Sequence, residues 1–292
     1  MSPDAPFLAV DWGTTNRRVY LIEQDRVTRT ERDDHGVTAV PHGGFEEQVS
    51  AIRARFGDLP MLLAGMVGSN IGWRVAPYVA APADLATLAA SLLWIDSRTA
   101  IVPGLSQIEN GRADVMRGEE VQLLGAVAAG LTPEDALLCQ PGTHCKWARM
   151  DRAGIAHFTT AMTGELFSLV RGHGLLAAQL GQEVTPGDAF RAGVAEGGKR
   201  DLGASLFGIR AAKLLGLRDD ADAASFASGL LIGADVAARL ADGQHDLVHI
   251  LADAGLGGLY VIAVEAQGRA ARLIDSNAAF AAGIIALGKL IP

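Results

Sequence analysis

Short apolar runs and small polar turns alternate along the chain. Phe7-Leu8-Ala9-Val10 is followed by Asp11-Trp12-Gly13-Thr14-Thr15-Asn16, then by Val19-Tyr20-Leu21-Ile22 and the polar turn Glu23–Arg26. Runs of this length, bounded by turn residues, predict strand, turn, strand, turn. The same pattern returns in the second half. Leu137-Leu138-Cys139 leads into Gln140-Pro141-Gly142-Thr143-His144, then Cys145-Lys146-Trp147-Ala148 and the turn Asp151–Gly154. Gly13 and Gly142 stand 129 residues apart. Two strand–Gly-Thr–strand hairpins predict an internal duplication with one hairpin per lobe and phosphates clamped between them.

Between and after the hairpins the pattern predicts further elements. Leu62–Gly65 reads as a buried strand with Met66–Trp73 as the loop at its end, and Val121–Ala129 reads as a helix. Ala224–Leu240 has helical periodicity, and Gly229 and Gly233, one turn apart, allow another helix or a ligand to come close. Leu247–Ala252 reads as a strand running into Asp253–Gly258, with a helix from Leu259. A last helix, Ala278–Leu290, is capped by Ser276 or Asn277. The helix that stops before Pro133 places a lobe boundary near 131, giving lobes of 1–131 and 132–292.

Composition narrows the picture. At 292 residues the chain exceeds one compact core. Glycine is frequent, 35 residues, which suits tight turns and close backbone approach to a ligand. The net charge of −8, with no basic run, excludes nucleic acid as an expected partner, so an anionic small molecule must be met by a few local arginines. The first six residues lack the features of a signal peptide, and no long uninterrupted apolar stretch predicts a membrane span. With Cys139 and Cys145 as the two cysteines, a reduced, cytoplasmic chain is expected.

The turns carry the candidate chemistry. Gly13 lets backbone approach an anion, Thr14 and Thr15 can donate to phosphate oxygens, and Asp11 at a strand end can hold hydrated Mg²⁺. Gly142, Thr143 and His144 are the matching candidates in the second hairpin; Lys146 either reaches phosphate or points away. Neither a Gly-x-x-x-x-Gly-Lys-Ser/Thr loop nor a Gly-x-Gly-x-x-Gly after the first strand is present, Gly197–Arg200 lacking the hydroxyl residue. Ser69, Asn70 and Trp73 suit a polyhydroxy acid, and Arg74 or Arg117 a carboxylate. Glu119 and Glu120 serve either as favourable acids in a first helical turn or as base for an attacking hydroxyl. Glu165 carries the same two readings. Gly255 and Gly257, in a glycine-rich loop before a helix, suit ribose or phosphate. The histidines lack zinc-ligand spacing.

Five blocks in order carry a resemblance: Asp11–Asn16, Ala64–Trp73, Met116–Glu120, Pro141–Trp147 and Met162–Leu166. Together they resemble the 2-dehydro-3-deoxygalactonokinases, within the actin-like ATPase superfamily. The resemblance implies an α/β, two-lobed, ribonuclease H-like fold with duplicated mixed-sheet domains and a cleft between them. It implies ATP and Mg²⁺ as cofactors, and transfer of the γ-phosphoryl group to the terminal hydroxyl of a sugar acid, 2-dehydro-3-deoxy-D-galactonate. A homodimer is a candidate assembly. One block departs from the family pattern: the loop Asp253–Gly258 has its glycines displaced, which puts the adenosine contacts in question. Two alternatives therefore stand beside the kinase, a non-catalytic sensor of sugar acid and nucleotide and a kinase of another keto-deoxy acid.

Overall fold

The computed structural model describes residues 5–199, 201–241 and 243–291. The stretch Met1–Asp4, read above as unlike a signal peptide, and Arg200 lie outside the described residues. The chain divides into two compact units. Unit 1 comprises the chain up to Asp135, Ala148–Phe158 and the chain from Ser276; unit 2 comprises Ala136–Trp147 and Thr159–Asp275.

The strands of the first half are β1 (Phe7–Trp12), β2 (Arg17–Glu23), β3 (Arg26–Asp33), β4 (Met61–Gly65), β5 (Tyr78–Ala80), β6 (Leu93–Asp96), β7 (Thr99–Ile101), β8 (Gly104–Glu109) and β9 (Arg112–Met116). Its helices are α1 (Phe45–Phe56), α2 (Leu85–Ala90) and α3 (Glu119–Ala128). Six strands form one sheet in the order β3-β2-β1-β4-β7-β6, and β5-β8-β9 form a small second sheet. β1 runs parallel to β4, and β4 to β7, while β2 and β3 return antiparallel. The apolar runs are explained by this order: Leu8, Ala9, Val10, Leu62 and Leu63 sit in central strands, buried on both faces. β3, at the edge, is rich in charge, as an unpaired strand edge requires.

The second half contributes β10 (Leu137–Gln140), β11 (Cys145–Asp151), β12 (Gly154–Ala161), β13 (Leu247–Leu251) and β14 (Ala270–Ile274). Their order is β12-β11-β10-β13-β14, with β10, β13 and β14 parallel. This repeats β3-β2-β1-β4-β7 strand for strand. The expected α/β fold with duplicated mixed sheets is the one observed. The helices here are α4 (Thr163–Gly172), α5 (Asp188–Gly197), α6 (Leu202–Leu214), α7 (Asp220–Arg239) and α8 (Ala254–Ala266), with α9 (Ser276–Lys289) at the end.

Glycines decide two helix pairings. A Cβ on Gly125 of α3 would lie 2.1 Å from the Ala279 carbonyl oxygen, and one on Gly283 of α9 2.0 Å from that of Val121. Only glycine permits this approach, and it draws the last helix into unit 1. The units therefore differ from a single cut at 131. In unit 2, Gly229 and Gly233 meet α5 in the same way, 2.1 Å from Phe190 O and 2.5 Å from Val194 O. The neighbour their spacing anticipated is thus a helix. α7 alone among the described helices is long and apolar enough to cross a membrane, yet most of it is buried within the structure, as in a core helix.

Candidate active site

In unit 1, the ends of β1 and β4 and the start of α3 are drawn together by a stack of close contacts. Gly65 has φ +93 and lies against Trp12, where a Cβ would stand 2.8 Å from the Trp12 carbonyl oxygen; Gly118 has φ +107, and a Cβ on it would stand 3.0 Å from the Gly65 Cα. Both conformations are closed to ordinary L residues. Three of the expected blocks, Asp11–Thr15, Met66–Trp73 and Arg117–Glu120, therefore start from neighbouring backbone.

The first Gly-Thr loop is fixed by its carbonyls. Those of Gly13, Thr14 and Thr15 accept from the N–H groups of Val37, Thr38 and Gly36 at 3.0, 3.2 and 3.3 Å, and the Thr38 hydroxyl adds a 2.8 Å bond to Thr14 O. A Cβ on Gly36 would lie 2.3 Å from Thr14 O, so glycine is required there. Thr14 and Thr15 remain exposed. Beneath them Arg17 holds Asp33 through two bonds, at 3.2 and 2.7 Å, and lies over the Trp12 ring. Asp11 keeps some solvent contact. Its carboxyl is nevertheless crowded by protein, and this desolvation pushes it from 3.8 up to about 6; Arg18 opposes the rise and Glu119 adds to it.

The acids of the α3 turn part company. Glu120 is fully buried, and both its oxygens accept from the Gly118 N–H at 2.8 and 2.7 Å. Burial, with the Glu119 charge beside it, pushes its carboxyl up to about 8. It secures the strained glycine turn and faces no solvent, which corrects its candidacy as base. Glu119 is half-buried and accepts from the Arg117 N–H at 3.1 Å. The Arg117 guanidinium is buried 4.3 Å over the Tyr78 ring and gives Nη2 to Ala76 O at 2.8 Å. Its Nε and Nη1 are buried without a partner among the described residues.

The loop after β4 is partly spent on itself. The Ser69 hydroxyl donates to Met66 O at 2.7 Å and accepts from the Ile71 N–H, so it shapes the loop and is no longer a free sugar ligand. Trp73 is half-buried with its ring stacked on Phe45, while Asn70 and Arg74 are exposed.

In unit 2 the second Gly-Thr loop is backed by the start of α4. The Glu165 N–H donates to Thr143 O at 2.9 Å, and a Cβ on Gly164 would stand 2.3 Å from Gly142 O. His144 Nε2 meets Glu165 Oε2 at 2.6 Å, both side chains being exposed. Lys146 is buried and gives Nζ to the Thr160 hydroxyl at 2.9 Å, so of its two expected orientations the one turned into the sheet is observed. Gly255 and Gly257 are corrected from loop to helix. They lie in the first turn of α8, where Asp253 caps the Gly255 and Leu256 N–H groups at 2.9 and 3.1 Å. The Gly255 amide is therefore engaged.

Sequence reasoning missed Gly36, Gly164 and Asp235. Asp235 of α7 is buried and accepts from Trp147 Nε1, the Thr163 hydroxyl and Tyr260 OH at 3.2, 3.0 and 3.4 Å. Burial raises its pKa, the Trp147 and Thr163 bonds opposing the rise. An acid inside the periodic apolar helix was the one available signal.

Comparison with known proteins shows which family the chain resembles over its length. A family model described as 2-keto-3-deoxy-galactonokinase matches residues 11–287. The chain is 35% identical over 291 residues to the 2-dehydro-3-deoxygalactonokinase of Escherichia coli (strain K12), covering 98% of this chain and 99% of that one. It is 38% identical to a "probable 2-dehydro-3-deoxygalactonokinase" of Rhizobium meliloti (strain 1021), with 98% and 97% covered. The crystal structure of a "putative 2-dehydro-3-deoxygalactonokinase protein" from Sinorhizobium meliloti is similar at a TM-score of 0.91 and 37% identity, over 97% of this chain and 98% of that one.

Proposed function

The chain belongs to the 2-keto-3-deoxy-galactonokinase family, and from that premise we infer how its residues carry out the reaction. It is an ATP-dependent sugar-acid kinase, moving the γ-phosphoryl group to the terminal hydroxyl of 2-dehydro-3-deoxy-D-galactonate to give the 6-phosphate and ADP. The relatives lend no support to the non-catalytic sensor.

The observation that carries the residue assignment is the Trp12–Gly65–Gly118 stack, which gathers an acid, two hydroxyls, a polar loop and a half-paired arginine at neighbouring backbone. Phosphoryl transfer asks chiefly for positioning and charge neutralisation. In this reading Gly13, Thr14 and Thr15, and separately Gly142, Thr143 and His144, contact phosphates. Arg117 meets the substrate carboxylate through Nε and Nη1, two donors otherwise left without partners. Asn70, Trp73 and Arg74 line the sugar side. Glu119, the accessible acid of its pair, orients the attacking hydroxyl.

Mg²⁺ fits the residues present. The raised pKa of Asp11 is a desolvation cost that a cation would offset, and no cluster of three metal-ligating side chains occurs among the described residues. One carboxylate with phosphates and retained waters is how Mg²⁺ is ordinarily held. When bound it would neutralise charge on the transferred group. A cytoplasmic location and a homodimer complete the proposal; the exposed Phe207, Leu214, Leu215 and Leu217 support the latter, which light scattering would check.

The test is to mix the protein with Mg-ATP and a panel of sugar acids, following ADP and the mass of the product. Turnover confined to the galactonate-derived keto acid is expected. Stabilisation by that acid without ADP would sink the assignment in favour of a sensor. Asp11→Asn should lower turnover at least ~100-fold with little change in Tm; undiminished turnover would remove Asp11 from the metal.

A further inference from the structure

His144 and Glu165 come from different elements, the second Gly-Thr loop and the first turn of α4, yet meet through Nε2 and Oε2 at 2.6 Å. The backbone enforces the meeting. The Glu165 N–H is bonded to Thr143 O, and Gly164 packs so closely on Gly142 that a Cβ there would lie 2.3 Å from Gly142 O. A carboxylate only accepts hydrogen bonds, so Nε2 is the donor and carries a hydrogen. In a neutral imidazole Nδ1 is then a bare acceptor, the wrong polarity for a phosphate oxygen. Nδ1 becomes a donor once the ring takes a second proton, and the charged ring then bridges carboxylate and phosphate.

We propose that Glu165 is a positioning residue that holds His144 in its Nε2–H form, so that nucleoside triphosphate binds the second loop together with one proton taken up by His144. This rests on the reading of Gly142–His144 as a phosphate loop. Of the charged groups around the ring, Glu165 is the one α4 presents. Lys146, two residues along β11, is buried and turned to Thr160. The His144 and Glu165 side chains are 48% and 36% exposed, so a proton can arrive from solvent.

The test is isothermal titration calorimetry of the full chain at pH 7.5, with Mg²⁺ and a β,γ-imido analogue of ATP, in buffers of different ionisation enthalpy. Net proton uptake on nucleotide binding is expected, with Kd rising toward alkaline pH. His144→Asn, whose amide offers a permanent N–H, should bind with uptake abolished. In Glu165→Gln the amide can donate to Nε2, freeing a neutral ring to offer Nδ1–H, so uptake should fall below half of the wild-type value. Wild-type binding without uptake would overturn the coupling while leaving the phosphate loop in place. Unchanged uptake in His144→Asn would put the proton elsewhere and overturn it too, and undiminished uptake in Glu165→Gln would remove Glu165 from the role. Failure of the wild type to bind nucleotide would overturn the phosphate-loop reading, and this inference with it.

Discussion

Replacing Gly164 by alanine tests whether the backing of the second loop sets nucleotide use. The added Cβ would lie 2.3 Å from Gly142 O and 2.9 Å from the Thr143 Cα. Ordinary contact needs a carbon–oxygen separation about 1 Å longer than the first of these, so loop and helix must part by about that much. Overpacking of this kind costs about 1–3 kcal/mol, but alanine in place of helical glycine returns up to ~1 kcal/mol. The net loss of stability is therefore about 0–3 kcal/mol, and the variant should fold. Its chemistry should suffer more, because a misplacement of ~1 Å costs ~100-fold in a positioned reaction. Steady-state kinetics should show kcat/KM for ATP down by ~30–100-fold and KM for the sugar acid within about twofold. Gly172, in the same helix with nothing within 4 Å of its would-be Cβ, is the control, and Gly172→Ala should leave both constants unchanged. A folded Gly164→Ala enzyme with kcat/KM for ATP within about threefold of wild type would refute the reasoning.

Gly36→Ala is the counterpart in the first loop: its Cβ would lie 2.3 Å from Thr14 O, and KM for ATP should rise ~10-fold or more, with melting curves confirming the fold. Arg117→Lys should raise KM for the sugar acid by ~10–100-fold while leaving KM for ATP alone, because a point charge cannot replace the planar fork; initial rates at saturating ATP would show it. Glu120 should make stability fall with rising pH. Its folded-state pKa of about 8 lies above the ordinary 4.5, so the folded state holds the extra proton through that window. The loss is on the order of 1.4 kcal/mol per pH unit at most, and levels off above pH 8. Urea melts of Glu120→Gln, whose amide oxygen can still accept from Gly118, should lack that slope; an identical slope would assign it elsewhere.

How far the sequence revealed these features depends on the range of the forces involved. β1, β4 and β10 were legible because strands covered on both faces read as unbroken apolar runs, and the Gly-Thr turns between them stand out. The start of α8 was misread although its signal was local. Asp253 before small residues is an N-cap as much as a loop, and the deciding bonds reach only two and three residues ahead. The placement of α9 could not be read, since it depends on Gly125 and Gly283 meeting across more than 150 residues of chain. The small β5-β8-β9 sheet escaped because β5 is short and β8 and β9 are partly exposed, so none of the three reads as an unbroken apolar run. Ser69, Glu120 and Lys146 were picked by residue type, but only their bonds to Met66, Gly118 and Thr160 show where each polar group is used.

The repeated strand order conceals a division of labour. Each half presents a Gly-Thr loop after its first strand, and each loop is seated by a glycine from elsewhere, Gly36 in one and Gly164 in the other. The seating elements differ in chemistry. Residues 36–38 bring only backbone amides and a hydroxyl to the first loop, while charge reaches it from Asp11, Arg18 and the acids and arginine of the α3 turn. The start of α4 brings a carboxylate to the second loop, and with it control over a histidine. That start is anchored in turn. The Thr163 hydroxyl shares the buried Asp235 carboxylate with Trp147 of β11 and Tyr260 of α8, so a displacement of α8 strains the same acid that steadies the loop's backing. A duplicated scaffold thus supplies two similar loops whose backing segments differ in the groups they bring, and the proposed division between metal and acceptor on one side and nucleotide and proton on the other rests on that difference.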